Sequence, residues 1–311
     1  MIRRVIFILL AGLLLSTCAG QGQPVISAQV RYAIIPESPR PGDPVTIGVN
    51  APIKEVAVFV DGKQVSKAVC FLIPEEEWKP GFTAAIVTIP STVEAQNAII
   101  KLNNASGTIF EIPITLTPRE FLSETLVLNP SLSRLVGEST PEKTAESEKL
   151  WEILTTTGNE VYNPGKLVLP VTTIRRTSLF GTRRINQYSD GRKTTSIHAG
   201  VDFGVPKGTE VRACGRGKVV FARMRILTGY TVIIELAPGV YSSYYHLDSI
   251  IAQEGSMVEA GEVVALSGST GFSTGPHLHW ELRVSAENTD PDILTERPLL
   301  DKDLIISKIY R

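Results

Sequence analysis

The sequence predicts a mainly β protein built as two domains with a short helical connector. Three observations predict it. Short runs rich in β-branched residues recur through the first third of the chain, separated by turn signals. A second set of alternating, glycine-punctuated runs fills the C-terminal half, and the clearest helical pattern lies between the two. At 311 residues the chain is long enough for about two cores. A formal net charge of -1 gives no global pull toward nucleic acid, and three cysteines are too few for a disulfide framework.

The first element is an address. Arg3 and Arg4 precede an uninterrupted apolar run from Val5 to Leu15, a basic region followed by a hydrophobic stretch too short to span a bilayer comfortably. Leu15-Ser16-Thr17-Cys18-Ala19 resembles a bacterial lipobox, although Thr17 stands where that motif has Gly, Ala or Ser. Residues 1–18 are therefore expected to be a signal peptide of lipoprotein type, with Cys18 lipidated. Cleavage after Ala19 is the competing expectation. Either places the mature protein outside the cytoplasm, in the periplasm or cell envelope, and a lipid on Cys18 would tether it to a membrane surface.

Residues 21–118 contain seven strand-like runs: Ile26 to Ile35, Pro44 to Val49, Glu55 to Val60, Gln64 to Ile73, Thr83 to Ile89, Ala98 to Leu102 and Thr108 to Leu116. Val56, Val58 and Val60 alternate before Asp61-Gly62, a dipeptide that supplies positive φ cheaply in a hairpin turn. About seven short strands in this length predict an immunoglobulin-like β-sandwich. It holds no histidine and no catalytic cluster, so a spacer or docking role is expected, with a partner the sequence does not name.

Residues 119–164 read as a connector with one helix. Thr140 can cap, Pro141 sits where its missing N–H costs nothing, Leu150, Ile153 and Leu154 share a face, and Gly158 offers a stop. The segment either packs on one domain as a linker or partly covers a groove. The domain from 165 to 295 follows, and residues 296–311 read as a C-terminal tail.

All four histidines lie in the 165–295 domain. His198 and Asp202 stand four apart around Gly200. In a straight strand they would be roughly 13 Å apart, too far for one metal with bonds near 2 Å, so a bend at Gly200 is expected. His277 and His279 flank Leu278 in an alternating run that continues through Val284, preceded by a glycine-rich stretch from Gly268. His246 lies in another aromatic, strand-like run. Structural zinc sites favour cysteine, and only Cys214 is available here. Three protein ligands with an open position fit the inventory better. Charge is also patterned: Arg175 to Arg225 holds twelve Lys/Arg against three Asp/Glu, and Ile226 to Asp303 the reverse, three against twelve. Mutual neutralisation in the fold is the plain expectation, and a basic wall for an acidic polymer the functional one.

The segments Ser178-Leu179-Phe180-Gly181-Thr182-Arg183, His198 to Asp202, Gly208-Thr209-Glu210-Val211, Tyr244 to Leu247, Ala260-Gly261-Glu262-Val263 and Gly271 to Glu281 stand in one order. Together, from Leu167 to Pro291, they resemble the lysostaphin-like (LytM-type) zinc endopeptidases of bacterial cell walls. The resemblance implies an antiparallel β-sheet peptidase domain of the duplicated-hybrid-motif type. It implies one zinc ion on His198, Asp202 and His279, with His246 and His277 as catalytic imidazoles, and it leaves open which of the two is the general base. Tyr244 is a candidate for positioning substrate, with core packing as its alternative. The implied activity is cleavage of peptidoglycan stem or cross-link peptides by metal-activated water. A non-catalytic or weakly catalytic regulator of another cell-wall hydrolase is the alternative, although no motif position is missing. The Arg184 to Ile197 segment matches nothing functional, and Cys214 stands where alanine is commoner.

Overall fold

The computed structural model describes residues 30–76 and 79–310; the signal segment, Cys18 and the beginning of the first predicted run lie outside them. The described chain is mainly β, with antiparallel sheets dominating. The N-terminal domain is two four-stranded antiparallel sheets with a shared apolar core of Val45, Ile47, Val56, Val58, Ile100 and Leu102. The predicted Gln64 to Ile73 run is two strands, Lys63–Val69 and Phe71–Ile73, one in each sheet. The chain crosses between sheets at Cys70, so eight strands form where seven runs were visible.

The sandwich is not a free-standing spacer. Ala33, Phe71, Ile73, Phe82, Ala84 and Ile86 belong to the same buried cluster as the core of the C-terminal domain. Polar contacts seal the contact: Thr46 Oγ1 donates to the Leu299 carbonyl at 2.8 Å and Ser285 Oγ to the Ile86 carbonyl at 3.1 Å. What the sequence suggests is a tail after 296 is instead a docking element. Asp301 caps the helix Lys302–Ile309 by accepting from the Leu304 N–H, and Ile305 and Ile309 are fully buried. Gly48 is glycine because of it: a Cβ there would lie 2.2 Å from Ile305 Cγ2.

The connector holds two helices and a strand rather than one helix. Pro141–Thr155 starts as expected, with Thr140 accepting from Lys143 N–H. The other helix, Pro130–Gly137, uses the same signal eleven residues earlier in the chain, Asn129 capping and Pro130 at the first position. The strand Ser123–Val127 pairs in parallel with Arg183–Gln187. Those two and Lys193–Ile197 make a three-stranded sheet, so the segment from Arg184 to Ile197, which matches nothing functional in sequence, is a hairpin paired to the connector.

The C-terminal domain is organised on a ten-stranded sheet whose path runs through Val201–Phe203, Leu278–Val284, Val240–Ile250 and Gly229–Ala237. Leu278, Trp280, Leu282 and Val284 face the core, all fully buried. His279, Glu281 and Arg283 fall by the two-residue period on the opposite face, where Tyr241, Ser243 and Tyr245 stand directly across from them. The Pro141–Thr155 helix lies on this same face, seating Leu150, Ile153 and Leu154 on Phe221, Ile233 and Tyr241.

The charge blocks neutralise one another. Arg176–Asp292, Lys207–Asp248, Arg216–Glu259 and Arg223–Glu254 pair across them at 2.6–3.1 Å. No helix among the described residues is long and apolar enough to cross a membrane.

Candidate metal centre

Strand register builds the centre. Asp202 and His279 are directly opposite each other on adjacent antiparallel strands, which brings their Cβ atoms to roughly 5 Å. His198 comes from outside that ladder, between the strand Lys193–Ile197 and Val201–Phe203. The predicted bend is therefore the passage from one sheet to another. Gly200 permits it by close approach: a Cβ there would lie 2.1 Å from the Trp280 carbonyl oxygen.

His279 Nδ1 lies 2.7 Å from Asp202 Oδ1, His198 Nε2 lies 3.1 Å from the same oxygen, and the two ring nitrogens are 3.0 Å apart. The remaining ring nitrogens fix the tautomers. His198 Nδ1 donates to the Leu179 carbonyl at 2.9 Å, and His279 Nε2 donates to Glu281 Oε1 at 3.1 Å. Both imidazoles thus aim a lone pair at the point the carboxylate oxygen also faces. All three residues are buried, and three acceptors converging without a cation would repel one another. A small divalent cation with nitrogen and oxygen ligands fits this set.

Protonation follows the same logic. With no cation bound, burial disfavours the Asp202 carboxylate, but the charge of a protonated His279 and its hydrogen bond outweigh it and hold the group well below the usual range. Burial likewise works against a proton on His279, yet the Asp202 charge and hydrogen bond raise it to about 9. That proton occupies the position a cation would take.

A supporting shell surrounds the three. Glu281 accepts from His279 and also from Tyr245 Oη at 3.3 Å and Arg283 Nε at 3.2 Å. Arg184 Nη2 donates to Asp202 Oδ2 at 3.0 Å, and its Nε donates to Glu124 Oε1 at 2.6 Å. Sequence reasoning assigned none of these residues a role. The His-x-Glu alternation on one strand was a readable signal for Glu281; nothing in the sequence links Glu124 to Asp202.

His246 and His277 flank the cluster. Their ring centroids are 4.8 Å apart, and His246 lies 6.0 Å from the His279 ring. His277 Nε2 is 3.7 Å from Asp202 Oδ1. His246 Nδ1 donates to the Thr270 carbonyl and His277 Nδ1 to the Gly275 carbonyl, both at 2.8 Å. Each therefore keeps Nε2 as a free acceptor. Burial first, then the neighbouring His277 and His279, push His246 down to about 3, so it is neutral. The glycine-rich stretch is tied to these histidines through Thr270, whose Oγ1 donates to the Leu247 carbonyl at 2.6 Å.

Tyr244 does not belong to the site. It is fully buried on the core side, its hydroxyl accepting from the Cys214 N–H at 2.8 Å. The tyrosine on the groove is Tyr245. Parity from His246 misleads because His246 has φ +58, which breaks the strand alternation there. The groove itself encloses about 520 Å³ and is walled in part by Glu124, Leu126 and Val136 of the connector and by the Phe272–Pro276 loop, whose Phe272 packs in one apolar cluster with Leu126 and Val136. The connector thus both packs on the sheet and borders the groove.

Residues 196–291 match the sequence profile of Peptidase family M23. The C-terminal domain is an M23 domain. DD-carboxypeptidase/endopeptidase Mpg of Neisseria meningitidis serogroup B is 42% identical over 98 residues, 32% of this chain and 23% of that protein. Peptidoglycan DD-endopeptidase ShyA of Vibrio cholerae is 39% identical over 110 residues, 35% of this chain and 25% of that protein. The chain thus matches about a quarter of the length of these relatives. A solved Pseudomonas aeruginosa structure, described as a candidate peptidase M23, shares the fold more widely. It has a TM-score of 0.57 at 22% identity and covers 83% of this chain and 94% of that one. The M23 match begins at residue 196, so the sandwich, the connector and the Arg183–Gln187 strand lie outside it.

Proposed function

We propose that the protein is a zinc-dependent endopeptidase that cleaves stem or cross-link peptides of peptidoglycan. The observation that carries this reading is the convergence of His198 Nε2, Asp202 Oδ1 and His279 Nδ1 in a groove that two further imidazoles face. The relatives support the substrate class, since one is named a peptidoglycan DD-endopeptidase.

Zinc held by His198, Asp202 and His279 would supply Lewis acidity toward a peptide carbonyl and toward water. The chain's own residues do the rest. His246 and His277, each with Nδ1–H committed to a backbone carbonyl, present Nε2 to take the proton of the attacking water and return it to the leaving amine. The imidazole not engaged in that transfer can donate to the developing oxyanion only when it also carries a proton on Nε2, since its Nδ1–H is held by a backbone carbonyl. Glu281 holds His279 in its ligating tautomer, and Arg184 balances the second oxygen of Asp202. The connector strand Ser123–Val127 and the helix Pro130–Gly137 border the peptide-sized groove through Glu124, Leu126 and Val136.

In the same reading, residues 1–18 export the chain and Cys18 anchors it to a membrane facing the wall, with the immunoglobulin-like sandwich as a rigid platform for the M23 domain. The test is digestion of purified peptidoglycan by the mature protein, with new amino termini identified by mass spectrometry. Cleavage should vanish on chelation and return with zinc. A pure, zinc-loaded protein that releases no new termini would overturn the enzyme reading in favour of a regulator of another hydrolase.

A further inference from the structure

A second basin of about 320 Å³ neighbours the groove, the two sharing Ile197, His198 and Ala199 in their walls. Besides those shared residues, the basin is walled by Pro90 and Thr92 from the sandwich, Trp151 from the Pro141–Thr155 helix, Phe180, and Arg283 with Ala286 to Asn288 at the sheet edge. Of the basin's lining, only His198 and Arg283 belong to the metal centre or its supporting shell. Leu150, Ile153 and Leu154 anchor the helix on the sheet, yet Trp151 between them is 57% exposed. The fold therefore leaves a large aromatic surface unused at the rim of a cavity, on a rigid element. Of the residues lining the basin, Asn288 alone carries a buried side-chain acceptor, Oδ1, without a hydrogen-bond partner among the described residues.

We propose that this basin is a carbohydrate subsite, in which Trp151 stacks on a sugar ring of the glycan strand whose attached peptide lies across the metal centre. The proposal rests on the peptidoglycan reading above and extends it from the peptide to the sugar. A pyranose offers an apolar C–H face and a polar hydroxyl and acetamido edge. An exposed indole matches the face, being broad, flat and costing little side-chain entropy to order. Thr92 and Asn288 supply hydroxyl and amide groups for the edge. A peptide carboxylate is served less well. Arg283, the one arginine lining the basin, is already paired with Glu281 at 3.2 Å.

The test is calorimetric binding of peptide-free glycan fragments, alternating N-acetylglucosamine and N-acetylmuramic acid, to the zinc-loaded full chain. A sugar-free stem-peptide dimer is titrated in parallel. The wild type should bind the glycan; Trp151→Ala should weaken that binding by about tenfold or more, the loss expected of an aromatic anchor, and Trp151→Tyr should restore most of it. Zinc content and thermal midpoint, read alongside, report the fold of each variant. The proposal is overturned if the wild type does not bind the glycan or if Trp151→Ala binds it as the wild type does. It is also overturned if Trp151→Ala weakens only the sugar-free peptide, which would make the basin a peptide subsite. Cleavage is not part of this readout. Glycan binding without cleavage would sink the endopeptidase reading alone, and cleavage without glycan binding would sink the subsite alone.

Discussion

His279 Nε2 donates to Glu281 Oε1 at 3.1 Å, and this one bond decides which nitrogen of His279 faces Asp202. The two side chains share a strand face two residues apart, so backbone geometry alone sets their meeting. Glu281 is fixed in turn by Tyr245 and Arg283. The carboxylate–imidazole–metal arrangement is a recurring way to hold a ligand's tautomer.

Glu281→Gln should therefore weaken zinc binding by about 10- to 100-fold, the range seen when such supporting partners are changed. Competition against a chromophoric chelator measures it. Unchanged affinity would mean that the tautomer of His279 is fixed by something other than Glu281.

The two histidines of the His-x-His pair should separate by phenotype. His279→Ala should lose zinc and turnover together. His277→Ala should retain one zinc per chain and lose turnover by about 10²- to 10⁴-fold, the usual contribution of a positioned acid or base. Metal analysis paired with muropeptide kinetics checks both. Zinc loss in His277→Ala would move that residue into the ligand set.

The C-terminal helix should be integral to the fold. Ile305 is fully buried between the two domains, so Ile305→Ala should cost about 2–5 kcal/mol, as for other large-to-small core changes. Denaturant unfolding should show a lowered midpoint for a single cooperative transition. A change below 0.5 kcal/mol, the scale of a surface substitution, would make the segment the peripheral tail its sequence suggests.

Glu235 should give a pH signature distant from the metal. Burial raises its pKa, with the Gly158 N–H and Lys218 only partly offsetting this. The folded state therefore holds the proton more tightly than the unfolded state. Its contribution to stability is fully present below the unfolded value and is lost as pH rises through the folded one. Glu235→Gln keeps an acceptor for Gly158 and removes the charge. Relative to wild type the variant should gain stability steadily from acid to neutral pH in urea melts. A constant difference across that range would refute the assignment.

Much of the site was legible because its residues sit in short local patterns. The His198 to Asp202 spacing, with glycine between, required a bend, and a bend is present. The alternation from Leu278 to Val284 put His279 outward and Trp280 inward, as found. Tyr244 takes the core-packing alternative, and Tyr245 faces the groove beside His246 because the left-handed backbone at His246 breaks the strand alternation. The second connector helix was readable at Asn129-Pro130, but its short span, Pro130–Gly137, made a weaker pattern than the next one.

The sequence by itself determined the β character, the ligand types and the chemistry they suit, since these depend on residue identity and local period. Tertiary structure alone decided the rest. Asp202 meets His279 through strand register, and Glu124 meets Arg184 through a parallel pairing 60 residues apart in sequence. Trp151 reaches the second basin only because its helix lies on the sheet face that carries His279 and Glu281. Such contacts follow from which surfaces bury one another, a property of the whole chain that no local pattern carries.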